Sequence, residues 1–193
     1  MNLMLSRRCV LRMGAATLMG GMLPGCTLTR AGKVTTITLN VAEVTDYGNA
    51  LVSFANTAIS LSCVAAAMGP ANVALANTVI AALKEALDAF RTAAGSSTSV
   101  SYDNTSVRTA FDSIVADIEQ INTLVIAVIT GMASDLSSTV VSEAKTAANA
   151  ASTLISLLKA MVDMTTRRLA VGTTLSAQAA IGRITVFVAT HGA

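Results

Sequence analysis

An all-α fold, an up-down four-helix bundle with short extended segments at either end, is what this 193-residue sequence predicts. Three observations carry it. Apolar side chains recur every three or four residues in four separate runs, the spacing that lines one seam of a helix. Residues that start and stop helices fall between those runs. A composition of 53% hydrophobic and 12% charged residues, with two prolines, supplies one buried core and few breaks in regular structure. The same figures exclude a disordered chain, which needs far less apolar content.

The first run is Val44, Tyr47, Leu51, Phe54, Ala58, Leu61, Ala65 and Met68. Asn40 with Glu43 three places on forms a capping box before it, and Gly69 with Pro70 provides a stop and a first-turn proline after it. The second run, Val73, Ala76, Ile80, Leu83, Leu87 and Phe90, ends at Gly95. A polar loop, GSSTSVSYDN, leads to the third: Val107, Phe111, Ile114, Ile118, Ile121, Val125, Val128 and Met132, interrupted at Gly131. The fourth is Val140, Ala144, Ala147, Ala151, Leu154, Leu158 and Met161, with Arg167 and Arg168 suited to the negative end of its dipole. The reading is helices near 41–68, 70–94, 105–131 and 136–168. Each spans about 40 Å, and the short connections favour antiparallel neighbours.

Outside the helices the pattern changes. Residues 33–39 (KVTTITL) and 183–190 (RITVFVAT) are rich in β-branched side chains and read as extended segments that could pair with each other. The apolar tail 169–193 is expected to pack on the bundle 41–168.

The N-terminus carries a different signal. Residues 1–12 are basic, residues 13–25 are small and apolar, and Cys26 follows, which is the order of an export signal. Thirteen apolar residues span about 20 Å as a helix, short of the roughly 30 Å hydrocarbon core, so removal is favoured over permanent anchoring. Ser6, Arg7, Arg8, Cys9, Val10, Leu11 and Arg12 resemble the twin-arginine export pattern, departing from it at Val10 and, conservatively, at Arg12. Leu23, Pro24, Gly25 and Cys26 resemble the lipobox of bacterial lipoproteins, with Pro24 an unusual choice. The resemblance implies cleavage after residue 25, acylation of Cys26, and a bacterial envelope location on the periplasmic side. Thr27 in place of an aspartate weakly favours the outer membrane. Several acyl chains at about 0.8 kcal/mol per buried CH2 hold a protein stably. Residues 26–40 then read as a tether.

Cysteine usage agrees with that address. Cys9 leaves with the signal and Cys26 takes lipid, so Cys63 remains alone and no internal disulfide can form. A domain free of disulfides can fold in the reducing cytosol before folded export. The net charge of +2 falls close to neutral once Arg7, Arg8 and Arg12 are removed, and with two Tyr and four Phe the chain lacks the basic surface and stacking platforms of a nucleic-acid binder.

Charge is unevenly placed. No charged residue lies between Asp46 and Lys84, nor between Glu119 and Asp135. On an up-down bundle these stretches converge at one pole, although Asp135, Glu143 and Lys145 lie near it. Met68, Gly69, Pro70, Gly131 and Met132 are the candidate contacts for a partner protein or a membrane there. The alternative is a pole covered by its own chain. Helix 1 also carries a polar stripe, Asp46, Asn49, Ser53, Asn56 and Ser60, with Cys63 next on the line.

Catalytic chemistry is thin. The single histidine, His191, is the third residue from the C-terminal end and reads as frayed tail. There is no HExxH, CxxC, GxSxG or phosphate-binding glycine loop, and Asp112, Asp117 and Glu119 read as a solvated face. The sequence therefore predicts a non-enzyme with no cofactor, metal or small-molecule substrate. Two functions remain: a lipid-anchored envelope module that binds or spaces another component, or a membrane-active protein that inserts the hairpin around Gly69 and Pro70. Asn49, Ser53, Asn56, Asn72 and Asn77 weigh against insertion, since an unpaired amide in hydrocarbon costs several kcal/mol.

Overall fold

A computed structural model describes residues 26–31, 34–132, 139–163 and 176–192. The described chain is mostly helical. Strand β1 (Cys26–Ala31) pairs antiparallel with β2 (Val34–Asn40), and β2 pairs antiparallel with the short β3 (Ser99–Ser101) on its other edge. Helices follow: α1 (Val41–Ser60), α2 (Ser62–Met68), α3 (Pro70–Ala94), α4 (Thr105–Ile121), α5 (Ala127–Gly131), α6 (Thr139–Val162) and α7 (Ala177–His191). A π turn, Asn122–Ile126, joins α4 to α5.

The helix boundaries are set by local chemistry. Asn40 accepts hydrogen bonds from the Ala42 and Glu43 amides at 3.0 and 3.3 Å, and its own amide reaches Glu43 Oε1 at 3.4 Å. That is the expected capping box. Asn104 caps α4 in the same way, accepting from the Ser106 and Val107 amides. Gly69 and Gly95 end α2 and α3 with positive φ of 77° and 59°, a region that glycine enters without a Cβ penalty.

Helix 1 of the sequence reading is two helices. Leu61 is extended (φ −68°, ψ 123°) and α2 leaves α1 at 86°. Ser60 Oγ donates to the Thr57 carbonyl at 2.7 Å, and the Leu61 amide turns back to Ala58. Side-chain bonding of this kind competes with the helix ladder. The three-and-four spacing continues through the corner because α2 buries Val64 and Met68 on the far side of it.

The π turn alters the third run. It inserts one residue, so the seam passes from Val125 to Ile129, which is fully buried, instead of the expected Val128, which is half-buried. The fourth run is seated as expected from Ala144 to Met161. Asp163 lies beyond the end of α6; Arg167 and Arg168, and the expected helix start at 136, lie outside the described residues.

The extended segments divide. Residues 34–40 do form a strand, but their partners are β1 and β3. The expected mate, 183–190, lies inside α7. Ala180, Ile184, Phe187 and His191 recur at three and four, and that periodicity outweighs the β preference of the branched residues between them. Residues 26–31 and 34–40, expected as an extended tether, are folded as a hairpin.

Helix α1 contacts α3, α6 and α7, α3 lies along α4, and α7 packs between α6 and α1. Their seams enclose a core of Leu51, Phe54, Leu83, Phe90, Phe111 and Leu154, all fully buried. Phe90 meets Phe111 at 6.3 Å between ring centroids, and Phe54 meets Phe187 of α7 at 5.9 Å.

Candidate functional site

The uncharged pole is assembled by the α1–α2 corner. Having turned through 86°, α2 crosses the end of the helices and contacts α5 and the π turn. The chain thus brings together the two distant stretches in which the sequence reading placed its contacts. Met68 is buried at 4% exposure and Val64 completely, both facing inward. Gly69 and Met132 are half-buried; Pro70 and Gly131 are exposed. Of the five expected contact residues, the two methionines mainly hold the pole together. Its outer surface is made instead by Ala66, Ala67, Pro70, Ala71, Ala74 and Leu75, all exposed and none charged. Leu75, at 47%, is one of two large hydrophobic side chains standing in solvent among the described residues, the other being Val186 on α7.

Two charges on α6 lie close to this pole, and both are engaged. Glu143 Oε2 is 2.6 Å from His191 Nε2. The His191 side chain is only 14% exposed and its ring lies 5.2 Å from that of Phe187. His191 is therefore no frayed tail: α7 carries it to the end of α1, where Gly192 abuts the Thr57 side chain. Lys145 Nζ donates to the Met132 carbonyl at 2.6 Å, closing the last turn of α5. His191 was expected in a frayed tail, and the spacing of Ile184, Phe187 and His191 was the signal that places it on a helix; Lys145 was expected near the pole, as found, but without its partner. Asp135 lies outside the described residues.

The opposite pole is charged and internally bonded. Tyr102 donates to Asp112 Oδ1 at 2.6 Å, with the Arg108 guanidinium 5.2 Å from the Tyr102 ring and 3.5 Å from Asp103. Arg91 bridges Asp88 at 2.8 Å and Asn49 at 3.2 Å. Burial, then the Asp112 hydrogen bond and charge, push the Tyr102 phenol up to about 12. Tyr47, 3.4 Å from Glu43 Oε2, is likewise pushed up to about 12, first by burial and then by the Glu43 charge. Burial also raises the Glu43 carboxyl. Of these contacts, the Tyr102–Asp112 and Arg108–Asp103 pairs fasten the loop after β3 to α4, and Arg91–Asn49 ties α3 to α1.

Cys26 opens β1, and its backbone partner is Leu39, a fully buried residue just before α1. Arg7 and Arg8 lie outside the described residues. Cys63 is a free, half-buried thiol on α2. The polar stripe of α1 is partly roofed by α7: Asp46, Asn49 and Ser53 face Gln178 and Thr185 across a groove of about 370 Å³. A wider open groove of about 880 Å³ runs between α3 and α4, floored by Ala82, Ala86, Ala89 and Ala93 and edged by Asp117, whose carboxyl burial raises. Among the described residues no three His, Cys, Asp or Glu side chains converge as a metal site would require. No protein-family model, curated protein or solved structure matches the chain.

Proposed function

We propose that this chain is a lipid-anchored protein of the bacterial cell envelope whose helical body is a non-enzymatic binding or spacing module. In this reading α1, α3, α4 and α6 are the antiparallel members of an up-down bundle, with α7 added between α1 and α6. Cys26 carries the lipid and residues 1–25, with Arg7 and Arg8, are the export signal. One observation supports the binding role above all: the exposed side chains of the α2–α3 corner are uncharged and mostly small, with Leu75 standing in solvent among them, while the nearby Glu143 and Lys145 each have a partner within the chain. An uncharged surface of this kind marks a protein contact. An envelope protein is the partner proposed for it.

Insertion of the Gly69–Pro70 hairpin into a bilayer is supported less. One run, Thr105–Gly131, is long and apolar enough to cross a membrane, at mean hydropathy 1.5. Its outward side chains, however, include Arg108, Asp112, Glu119 and Gln120, which hydrocarbon would not accept. The larger apolar side chains of α2, Val64 and Met68, are likewise turned inward.

A variant lacking residues 1–25 and carrying Cys26→Ser tests the reading. A monodisperse helical protein without detergent is the expected product; leakage of dye-loaded liposomes on its addition sinks the module in favour of insertion. The address is tested by the mass of the N-terminus in a membrane fraction, where an unmodified Met1 refutes lipid anchoring.

A further inference from the structure

We infer that the protein stands on its charged pole, with the uncharged pole held away from the anchoring bilayer and turned to the aqueous space. This rests on the lipid-anchor reading and adds an orientation to it. A flexible tether of residues 26–40 would let either pole reach the membrane. The hairpin removes that freedom. Six backbone pairs join β1 to β2, from Cys26 with Leu39 to Ala31 with Val34. Strand β2 is itself fixed to the base: it pairs with β3, the Tyr102 amide donates to the Ile37 carbonyl at 2.9 Å, and the Val41 amide donates to Thr98 at 3.0 Å. Leu39 is fully buried, and Asn40 caps α1.

The backbone of Cys26 is thereby placed beside the first turn of α1. The corner at Leu61 lies at the other end of that helix, and 20 residues at about 1.5 Å each put it about 30 Å away. That distance is comparable to the thickness of a bilayer's hydrocarbon core. Acyl chains at Cys26 therefore draw Glu43, Asp46, Asp88, Arg91, Asp103, Arg108 and Asp112 toward the headgroups, where charged side chains remain hydrated. Ala66, Ala67, Pro70, Ala71, Ala74 and Leu75 point to the far side. The anchoring bilayer is thus excluded as occupant of the uncharged pole, which faces the aqueous space.

The test uses the full-length protein, exported, purified from membranes and reconstituted into zwitterionic phospholipid vesicles containing headgroup-nitroxide lipid. In a Cys63→Ser background, a fluorophore is attached through Ala67→Cys at the uncharged pole or Ser97→Cys at the base. Quenching severalfold stronger at position 97 than at 67 is expected. Equal or stronger quenching at 67 in an acylated protein overturns the orientation and leaves lipid anchoring intact. A mass without lipid overturns lipid anchoring, and the orientation with it. Should the Cys63→Ser chain fail to fold, Cys63→Ala replaces it as the background for both labels, with the same two outcomes.

Discussion

Two glycines in helices face opposite surroundings, and the difference predicts opposite effects of the same substitution. A Cβ on Gly48 of α1 would overlap Leu87 Cδ2 of α3, and Leu87 is buried at 1% exposure with little room to swing aside. Gly48→Ala gains about 1 kcal/mol of helix propensity but forces an overpacked core, which typically costs about 1–3 kcal/mol. The urea midpoint should fall. Gly182 of α7 has nothing within 4 Å of a built Cβ, so Gly182→Ala should raise the midpoint, by about 0.5–1 kcal/mol in stability. The two tyrosines give a second test at this scale. Both phenols are pushed from 10.0 up to about 12, so the unfolded chain loses its phenolic protons first. Stability from these groups is intact below pH 10 and drains away as pH climbs toward about 12. Absorbance at 295 nm should show no ionisation step near pH 10 in the native protein and a step there in urea. A native step at 10 contradicts the burial of the two phenols together with their Glu43 and Asp112 pairings.

At the level of elements, α4 and α7 depend on their ends. Asn104→Ala removes the acceptor for the Ser106 and Val107 amides and should cost about 1 kcal/mol, read as a lower thermal midpoint. Helix α7 is held at its far end by the His191–Glu143 contact and along its length by Ala180, Ile184 and Phe187. His191→Ala should leave the helix formed but speed amide exchange in its last two turns, with little change in α3 or α4. Unchanged exchange there would show that the apolar contacts suffice. This helix was legible in the sequence only to its period. Its branched residues suggested a strand because β propensity expresses packing on a pleated surface, and here the surface supplied is the groove between α1 and α6. The corner at Leu61 was illegible for a related reason: serine bonding to a neighbouring carbonyl is compatible with a continued helix, and the decision to turn is made by what α2 can cover.

For the whole molecule, the exposed positions of the uncharged pole should accept even a charged side chain without loss of stability. Ala67→Asp or Ala71→Asp should fold normally, with circular dichroism and urea midpoint within about 0.5 kcal/mol of the parent. Either change should weaken any partner captured by the native surface. Loss of folding instead would mean that these side chains belong to the core. The sequence alone determined the helical class, the four apolar seams, the caps at Asn40, Gly69 and Gly95, and the existence of two charge-free stretches, because periodicity and capping act within a few residues. Tertiary structure alone decided that residues 183–190 are helical and that α2 turns across the end. It also engaged Glu143 and Lys145 and placed Cys26 beside the buried Leu39. Each of these is settled by contacts between residues remote in sequence, where the free energy of burying a shared surface exceeds the small preferences any local stretch expresses.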